Sequence, residues 1–352
     1  MLRVGIIGAG GYTGAELVRL IHSHPELSLV MCAAREKAGK RLGEVLPNVL
    51  GVPALSELLL EPFDPEQAPA LAARIDVAFL ALPHGASARA GKALFEAGLQ
   101  VVDLSADYRL KSATTYRDTY GEHPAPELLE RAVYGQPELH RAELANAKLI
   151  ASPGCHVTTA LLPLAPLLAS HLVEPVGIVV DSKTGVSGGG RSPAPAYHFP
   201  ESAEGVRPYA VGGRHRHIPE LEQELSRVAG AEVRITFTPS LLPMTRGILC
   251  TAYARARPET TEAACREAAR ALYGDSPLIT VLGEGQLPDT LWVRGSARAM
   301  VNYALDLRTR TVIAMGVTDN LTRGASAQAI QALNVSRGWP DGLGLPEIAM
   351  FP

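Results

Sequence analysis

An apolar run over residues 2–8 leads directly into Gly8-Ala9-Gly10-Gly11-Tyr12-Thr13-Gly14 and then into residues 15–23. There Leu17, Val18, Leu20 and Ile21 supply an apolar stripe. A strand, a glycine-rich turn and a helix in immediate succession constrain the fold more than any other feature. A strand that feeds a helix returns to a parallel neighbour, and parallel sheets bury both faces. The alternation continues, with strands over 27–33 and 75–82, a helix over 86–97 and a short strand over 100–104. A Rossmann-type doubly wound parallel sheet is expected over residues 1–151.

Gly8, Gly10 and Gly11 let the backbone turn tightly and approach a pyrophosphate, which then meets the following helix N-terminus. Thr13 stands at the third glycine position of the G-x-G-x-x-G fingerprint, and Gly14 follows one place later. The second strand ends at Ala33-Ala34-Arg35. A cofactor without a 2′-phosphate usually meets an acid there. Here Arg35 is the first charged residue, Glu36 is next to it, and Lys37, Lys40 and Arg41 follow. This favours a phosphate on the ribose, hence NADP over NAD.

Beyond residue 152 the pattern changes. Strand-like runs fall at 176–182, 232–238, 247–254, 303–307 and 311–317, with helices at 219–228 and 260–273. Short connections between them fit a mixed or antiparallel sheet with helices on one face, an α+β domain over 152–319. Residues 324–337 read as an amphipathic helix with Ala325, Ala329, Ile330, Leu333 and Asn334 along one side; its periodicity leaves open which domain it docks on.

A length of 352 residues is itself more than one core usually spans. A net charge of −3 gives no electrostatic footprint for nucleic acid. No apolar run reaches the roughly 20 residues of a membrane span. The first residues carry no signal-peptide cleavage pattern. The expectation is a cytoplasmic protein with a small-molecule substrate and neither a nucleic-acid nor a membrane partner. Four cysteines without C-x-x-C spacing indicate neither a zinc site nor a disulfide framework, so no metal is expected.

One cysteine stands apart. Cys155 lies in Ser152-Pro153-Gly154-Cys155-His156, a tight turn directly before the helix-like run 158–169. A thiol at a helix mouth sees unpaired N–H groups and the positive end of the helix dipole, both of which favour thiolate. A thiolate with a dinucleotide suggests covalent capture of an acyl group or aldehyde, with hydride transfer at the same carbon. Cys32, Cys250 and Cys265 sit in apolar or amphipathic runs and read as structural.

Three further segments supply partners. In Arg214-His215-Arg216-His217 two histidines alternate with two arginines before a helix. A histidine can take the thiol proton, and arginines can fork onto a carboxylate or phosphate. The glycine-rich loop 182–191, containing Ser187 and Gly188, follows a strand, and its N–H groups suit an anion or the nicotinamide amide. Arg109 follows a strand end of the first domain, where ligands of open α/β sheets sit.

With these residues in view, the chain resembles the N-acetyl-gamma-glutamyl-phosphate reductases, within the aspartate-semialdehyde dehydrogenase superfamily. The likeness runs nearly end to end through 8–17, 82–85, 105–110, 152–155, 185–188, 215–217, 244–247 and 319–321. It implies that Cys155 forms a thioester and that His215 or His217 is the acid/base, with His217 slightly favoured. It places Arg109 and Tyr209 at the substrate, and Arg214, from the arginine–histidine segment, is a further substrate-side candidate. It places Gly8, Gly10, Gly11, Tyr12, Thr13 and Gly14 at the cofactor, with Asn320 near the nicotinamide. It also implies that 320–352 returns to the Rossmann domain, that the second domain is a substrate and dimerisation domain, and that the protein is a dimer or tetramer.

Two departures stand out. The family commonly follows Pro-Gly-Cys with Tyr-Pro-Thr; here the sequence is His156-Val157-Thr158. The segment 192–201 is more similar to sister reductases of lysine biosynthesis, which act on a carrier-protein-linked aminoadipyl phosphate. The expected reaction is NADPH-dependent reduction of N-acetyl-gamma-glutamyl phosphate to N-acetyl-L-glutamate 5-semialdehyde, in arginine biosynthesis. The carrier-linked reaction and a non-phosphorylating aldehyde dehydrogenase are the alternatives.

Overall fold

The computed structural model describes every residue except Asp275 and Pro352. The chain forms two compact units. One comprises Met1–Pro153 and Ala325–Leu345, the other Gly154–Gly324 and the segment from Pro346 on.

The first unit carries a seven-stranded sheet. Its strands are β1 Leu2–Ile7, β2 Leu27–Ala33, β3 Leu60–Glu61, β4 Val77–Leu80, β5 Gln100–Asp103, β6 Val133–Tyr134 and β7 Leu149–Ala151. They lie in the order β3-β2-β1-β4-β5-β7-β6, and every pairing is parallel. Strand order reverses at β1, between β2 and β4, which opens a crevice beyond the carboxyl ends of these strands. Two glycines let the helix Tyr12–His22 leave β1 at close range. A Cβ on Gly8, whose φ is +100°, would lie 2.3 Å from the Ala81 carbonyl oxygen, and one on Gly14 would lie 2.6 Å from the Gly8 oxygen.

The helix Ala327–Ser336 belongs to this unit, packed against the helix Pro137–Leu144 and strands β5 and β7. Here the structure corrects the sequence expectation. The helix has no polar outer face, because all ten of its residues are buried. Its polar side chains bond inward. Gln328 donates to the Gly135 carbonyl at 2.6 Å, Gln331 to Glu138 at 2.9 Å, and Asn334 Oδ1 meets His24 at 3.1 Å. Internal partners offset the cost of burying such groups.

The second unit carries β8 Ile178–Gly185, β9 Arg207–Pro208, β10 Ile235–Leu242, β11 Ile248–Arg255, β12 Ile279–Val281, β13 Ala299–Asp306 and β14 Thr311–Thr318. The order is β12-β13-β14-β11-β8-β10-β9. β8 runs parallel to β10 and β12 to β13, and the remaining pairs are antiparallel, so the sheet is mixed. Helices Cys155–Ala169, Ile218–Ala229 and Glu262–Tyr273 pack together, the first against β11 and β14. The helix Cys155–Ala169 tolerates Pro163 and Pro166 within it. Each proline removes a donor and frees the carbonyl four residues back. The Tyr273 hydroxyl donates to the carbonyl of Leu162 at 2.9 Å, the one Pro166 frees. A Cβ on Gly316 would lie 2.6 Å from the Thr159 carbonyl, so glycine lets the helix seat on β14.

From Pro346 on, the chain lies in the second unit, although the sequence reading groups all of 320–352 with the first. Two bonds account for the difference: the Ala297 N–H donates to the Pro346 carbonyl at 2.7 Å, and the Met350 N–H to the Arg294 carbonyl at 2.9 Å. Among the described residues, no helix is long and apolar enough to cross a membrane.

Candidate active site

Cys155 is the first residue of its helix, and Gly154, in extended conformation, is the N-cap with no side-chain cap. The first turn therefore presents its N–H groups to the thiol. The other cysteines differ sharply. Burial pushes Cys32 and Cys250 each up to about 12 and Cys265 to about 11, so these thiols stay protonated. Cys155 is partly exposed.

Two glycines bring neighbours onto Cys155. A Cβ on Gly154 would lie 2.6 Å from His217 Nε2 and 2.7 Å from its Cε1, so the imidazole rests directly on the Gly154 backbone. A Cβ on Gly324, within the π-helical turn Thr322–Ser326, would lie 2.8 Å from Cys155 Cβ. The Gly154 N–H donates to Glu220 Oε1 at 2.9 Å. Glu220 is buried in the first turn of Ile218–Ala229, the helix that His217 caps.

Behind the thiol lies a cluster of rings. Ala210, Gly212 and Gly213 all have positive φ, reversing the chain between Tyr209 and His215. The His215 and His217 rings are 4.8 Å apart, and the His217 N–H donates to His215 Nδ1 at 3.2 Å. His215 packs against Phe237 at 5.1 Å and against the edge of His156 at 5.4 Å. Burial first, then the Arg216 charge, lowers His215 to about 4, leaving its imidazole neutral near pH 7. Arg214 and Arg216 are exposed.

The loop after β8 differs from the expected nest. The N–H groups of Gly185, Val186 and Ser187 donate to the carbonyls of Gly247, Met244 and Thr245, so these donors are engaged within the unit. What the loop presents is side-chain chemistry. Asn320 Nδ2 donates to Ser187 Oγ at 2.9 Å, and Asn320 Oδ1 accepts from the Gly247 N–H at 2.8 Å. Exposed Gly188 lies beside Thr184 Oγ1 and Asn320 Nδ2. Ser187, Gly188 and Asn320 thus come together in the second unit.

In the first unit, a cavity of about 320 Å³ opens beyond β1 and β2, lined by Gly8, Ala34, Arg35, Phe63, Arg89 and others. Lys37 reaches back over the glycine turn, its Nζ 3.4 Å from the Gly10 carbonyl. A Cβ on Gly11 would meet nothing within 4 Å, so the turn is open to an approaching group. Arg109 is buried, its Nε donating to the Ser152 carbonyl at 2.6 Å and its Nη2 to that of Leu104 at 2.8 Å. It braces the strand end against the segment leading to Cys155.

The sequence marks His156 only as a departure from the family pattern and Ser182 only as the start of a loop, and it assigns no role to either, nor to Glu220 or Arg89. Glu220 offered one signal, an acid in the first turn of an expected helix, but its partner is 66 residues away.

A model for the semialdehyde dehydrogenase NAD binding domain matches residues 3–147, and one for the semialdehyde dehydrogenase dimerisation domain matches residues 155–320. The fold is that of aspartate semialdehyde dehydrogenase II from Vibrio cholerae, with TM-score 0.71 and 16% identity, covering 95% of this chain and 98% of that one. The Candida albicans aspartate semialdehyde dehydrogenase, solved with NADP, gives TM-score 0.70 and 16% identity over 97% of this chain and 99% of that one. The chain is thus built as a two-domain semialdehyde dehydrogenase that binds a nicotinamide cofactor.

Its nearer relatives are more particular. The N-acetyl-gamma-glutamyl-phosphate reductase of Geotalea daltonii is 45% identical over 100% of both chains. That of Syntrophobacter fumaroxidans is 46% identical, also over 100% of both. The chain belongs to the N-acetyl-gamma-glutamyl-phosphate reductase family.

Proposed function

We propose that this protein reduces N-acetyl-gamma-glutamyl phosphate to N-acetyl-L-glutamate 5-semialdehyde with release of phosphate, using NADPH and a thioester on Cys155. The observation that carries this reading is the uncapped helix mouth at Cys155 with the His217 ring seated on Gly154. Cys155 Sγ attacks the acyl carbon, forming a C–S bond as the C–O bond to phosphate breaks. His217 takes the thiol proton and, as imidazolium, stabilises the thiolate. His215, held neutral by burial, supports the His217 backbone by accepting its N–H at Nδ1. A bound dihydronicotinamide supplies the hydride. The tetrahedral oxyanion left on Sγ would then collapse, the C–S bond breaking to free the aldehyde, and the His217 imidazolium would return its proton to the released thiolate.

The first unit fits such a cofactor, because Gly8 and Gly14 let the turn and its helix pack tightly on the strand ends while the space beside Gly11 stays open. Gly10, Tyr12 and Thr13 complete that turn, and Ser187, Gly188 and Asn320 are the nicotinamide-side candidates of the second unit. Arg109, Tyr209 and Arg214 are the substrate-side candidates. The division of labour is then a cofactor unit and a catalytic unit, the latter also forming a dimer through the segment whose family model is a dimerisation domain.

Arg35 and Arg89 line the same cavity and supply the charge for a ribose 2′-phosphate. Arg35→Ala is expected to raise the NADPH dissociation constant about tenfold or more while leaving NADH within about twofold. Equal losses for both cofactors in a binding titration would make Arg35 an ordinary loop residue.

The reaction itself is tested in reverse. Purified protein, NADP⁺, inorganic phosphate and N-acetylglutamate semialdehyde should yield NADPH only when phosphate is present. Phosphate-independent NADPH formation would make the protein a non-phosphorylating aldehyde dehydrogenase. Indifference to this aldehyde, with oxidation of a carrier-linked aminoadipate semialdehyde, would favour the lysine-pathway reaction.

A further inference from the structure

His156, the residue directly after the nucleophile, is 3% exposed and points away from solvent into the ring cluster. Its Nδ1 lies 2.7 Å from Ser182 Oγ on β8, and its Nε2 lies 2.8 Å from the Tyr209 hydroxyl. The rings of His215, His217 and Phe237 close around it at 5.4, 5.9 and 5.6 Å. Burial, followed by the charge His215 would carry, lowers its pKa to about 3, so the imidazole is neutral at any working pH. A neutral imidazole has one donor and one acceptor. The two hydroxyls on it therefore take opposite roles.

The buried serine decides which. Ser182 is fully buried, and among the described residues its hydroxyl has one hydrogen-bond partner, His156 Nδ1. Were Nδ1 to donate, the serine proton would be stranded in the interior, a loss of the kind that buried polar groups avoid. The Ser182 O–H therefore donates to Nδ1, and Nε2–H donates to the Tyr209 oxygen. The Tyr209 proton is then turned away from the ring. Tyr209 remains a phenol, because burial and then the charge at Cys155 raise its pKa.

We infer that Ser182, His156 and Tyr209 form a neutral hydrogen-bond relay that presents the Tyr209 O–H as a donor to an anionic oxygen of the substrate held at Cys155. This deepens the proposed function and rests on Cys155 being the acyl-accepting thiol. His156 is a positioning residue, acting through Tyr209.

The test is a double-mutant cycle in the phosphate-dependent assay, with Tm and NADPH affinity measured alongside. Tyr209→Phe and His156→Phe should each lower kcat/KM about tenfold or more, and Ser182→Ala several-fold. In the Tyr209→Phe background, His156→Phe and Ser182→Ala should each cost less than about twofold further, since the proton they orient is already gone. His156→Gln, which keeps one donor and one acceptor, should recover part of the loss. NADPH affinity should be unchanged. Losses that multiply would show that His156 and Ser182 act by packing alone and would overturn the relay. If His156→Phe does not fold, Ser182→Ala, which removes one oxygen atom, decides the matter by the same criterion. Absence of phosphate-dependent turnover in the unmodified protein would instead overturn the reading on which the relay rests.

Discussion

Cys155→Ser is expected to lower turnover by at least about three orders of magnitude while leaving NADPH affinity within about twofold. A serine hydroxyl at a helix mouth is still protonated near pH 7, and no dipole of this size ionises it. The substitution removes one atom's chemistry and almost none of the packing, because Cys155 is partly exposed and the helix below it is fixed by residues further along. Cys32→Ala, Cys250→Ala and Cys265→Ala should keep kcat and lower only Tm, since those thiols are buried and protonated. Turnover near normal in Cys155→Ser would remove this residue from the mechanism.

Gly154→Ala should lower kcat roughly a hundredfold, the usual scale of a general acid or base. Alanine tolerates the φ of −71° and ψ of 144° at this position, so the backbone is not strained. Changing glycine at an N-cap costs about 1 kcal/mol or less. The added methyl, however, would lie 2.6 Å from His217 Nε2, and the ring must move. The predicted signature is therefore a lost rate with a nearly intact melting temperature, and with cofactor affinity unchanged. A variant with full kcat would show that the seat of His217 on Gly154 is incidental. A variant with a collapsed Tm would assign the glycine to folding.

Much of the first sheet was readable because β1, β2 and β4 are mostly apolar runs and β5 carries Val101 and Val102 just past the Gly98 turn. β6 and β7 were not, since two or three residues cannot display a period. Gly154 shows a further limit. Pro153-Gly154-Cys155 announces a turn, but that Gly154 makes room for a histidine is a fact about contact across the fold. The same holds for His156. Its sequence neighbours give it no role, and its partners Ser182 and Tyr209 lie 26 and 53 residues away. Conversely, a stripe of Ala325, Ala329, Ile330 and Leu333 implied an exposed opposite face. Internal partners for Gln328, Gln331 and Asn334 overrode that pattern.

That buried helix, Ala327–Ser336, has a consequence for how the protein is made. Synthesis delivers residues 1–153 first, yet the helix that completes their core is encoded near the far end of the chain. A nascent chain that has emerged only this far lacks the partner of Gly135, Glu138 and His24, and the neighbour that covers β5 and β7. Its apolar surface stays uncovered while the whole second unit is translated. The expected order of folding on the ribosome is thereby inverted: strands β8 to β14 of the second unit can close their sheet before the nucleotide-binding unit, begun earlier, receives its last helix. Truncation after residue 324 should consequently leave the first unit aggregation-prone, while the second unit loses only its contacts to Pro346 and Met350.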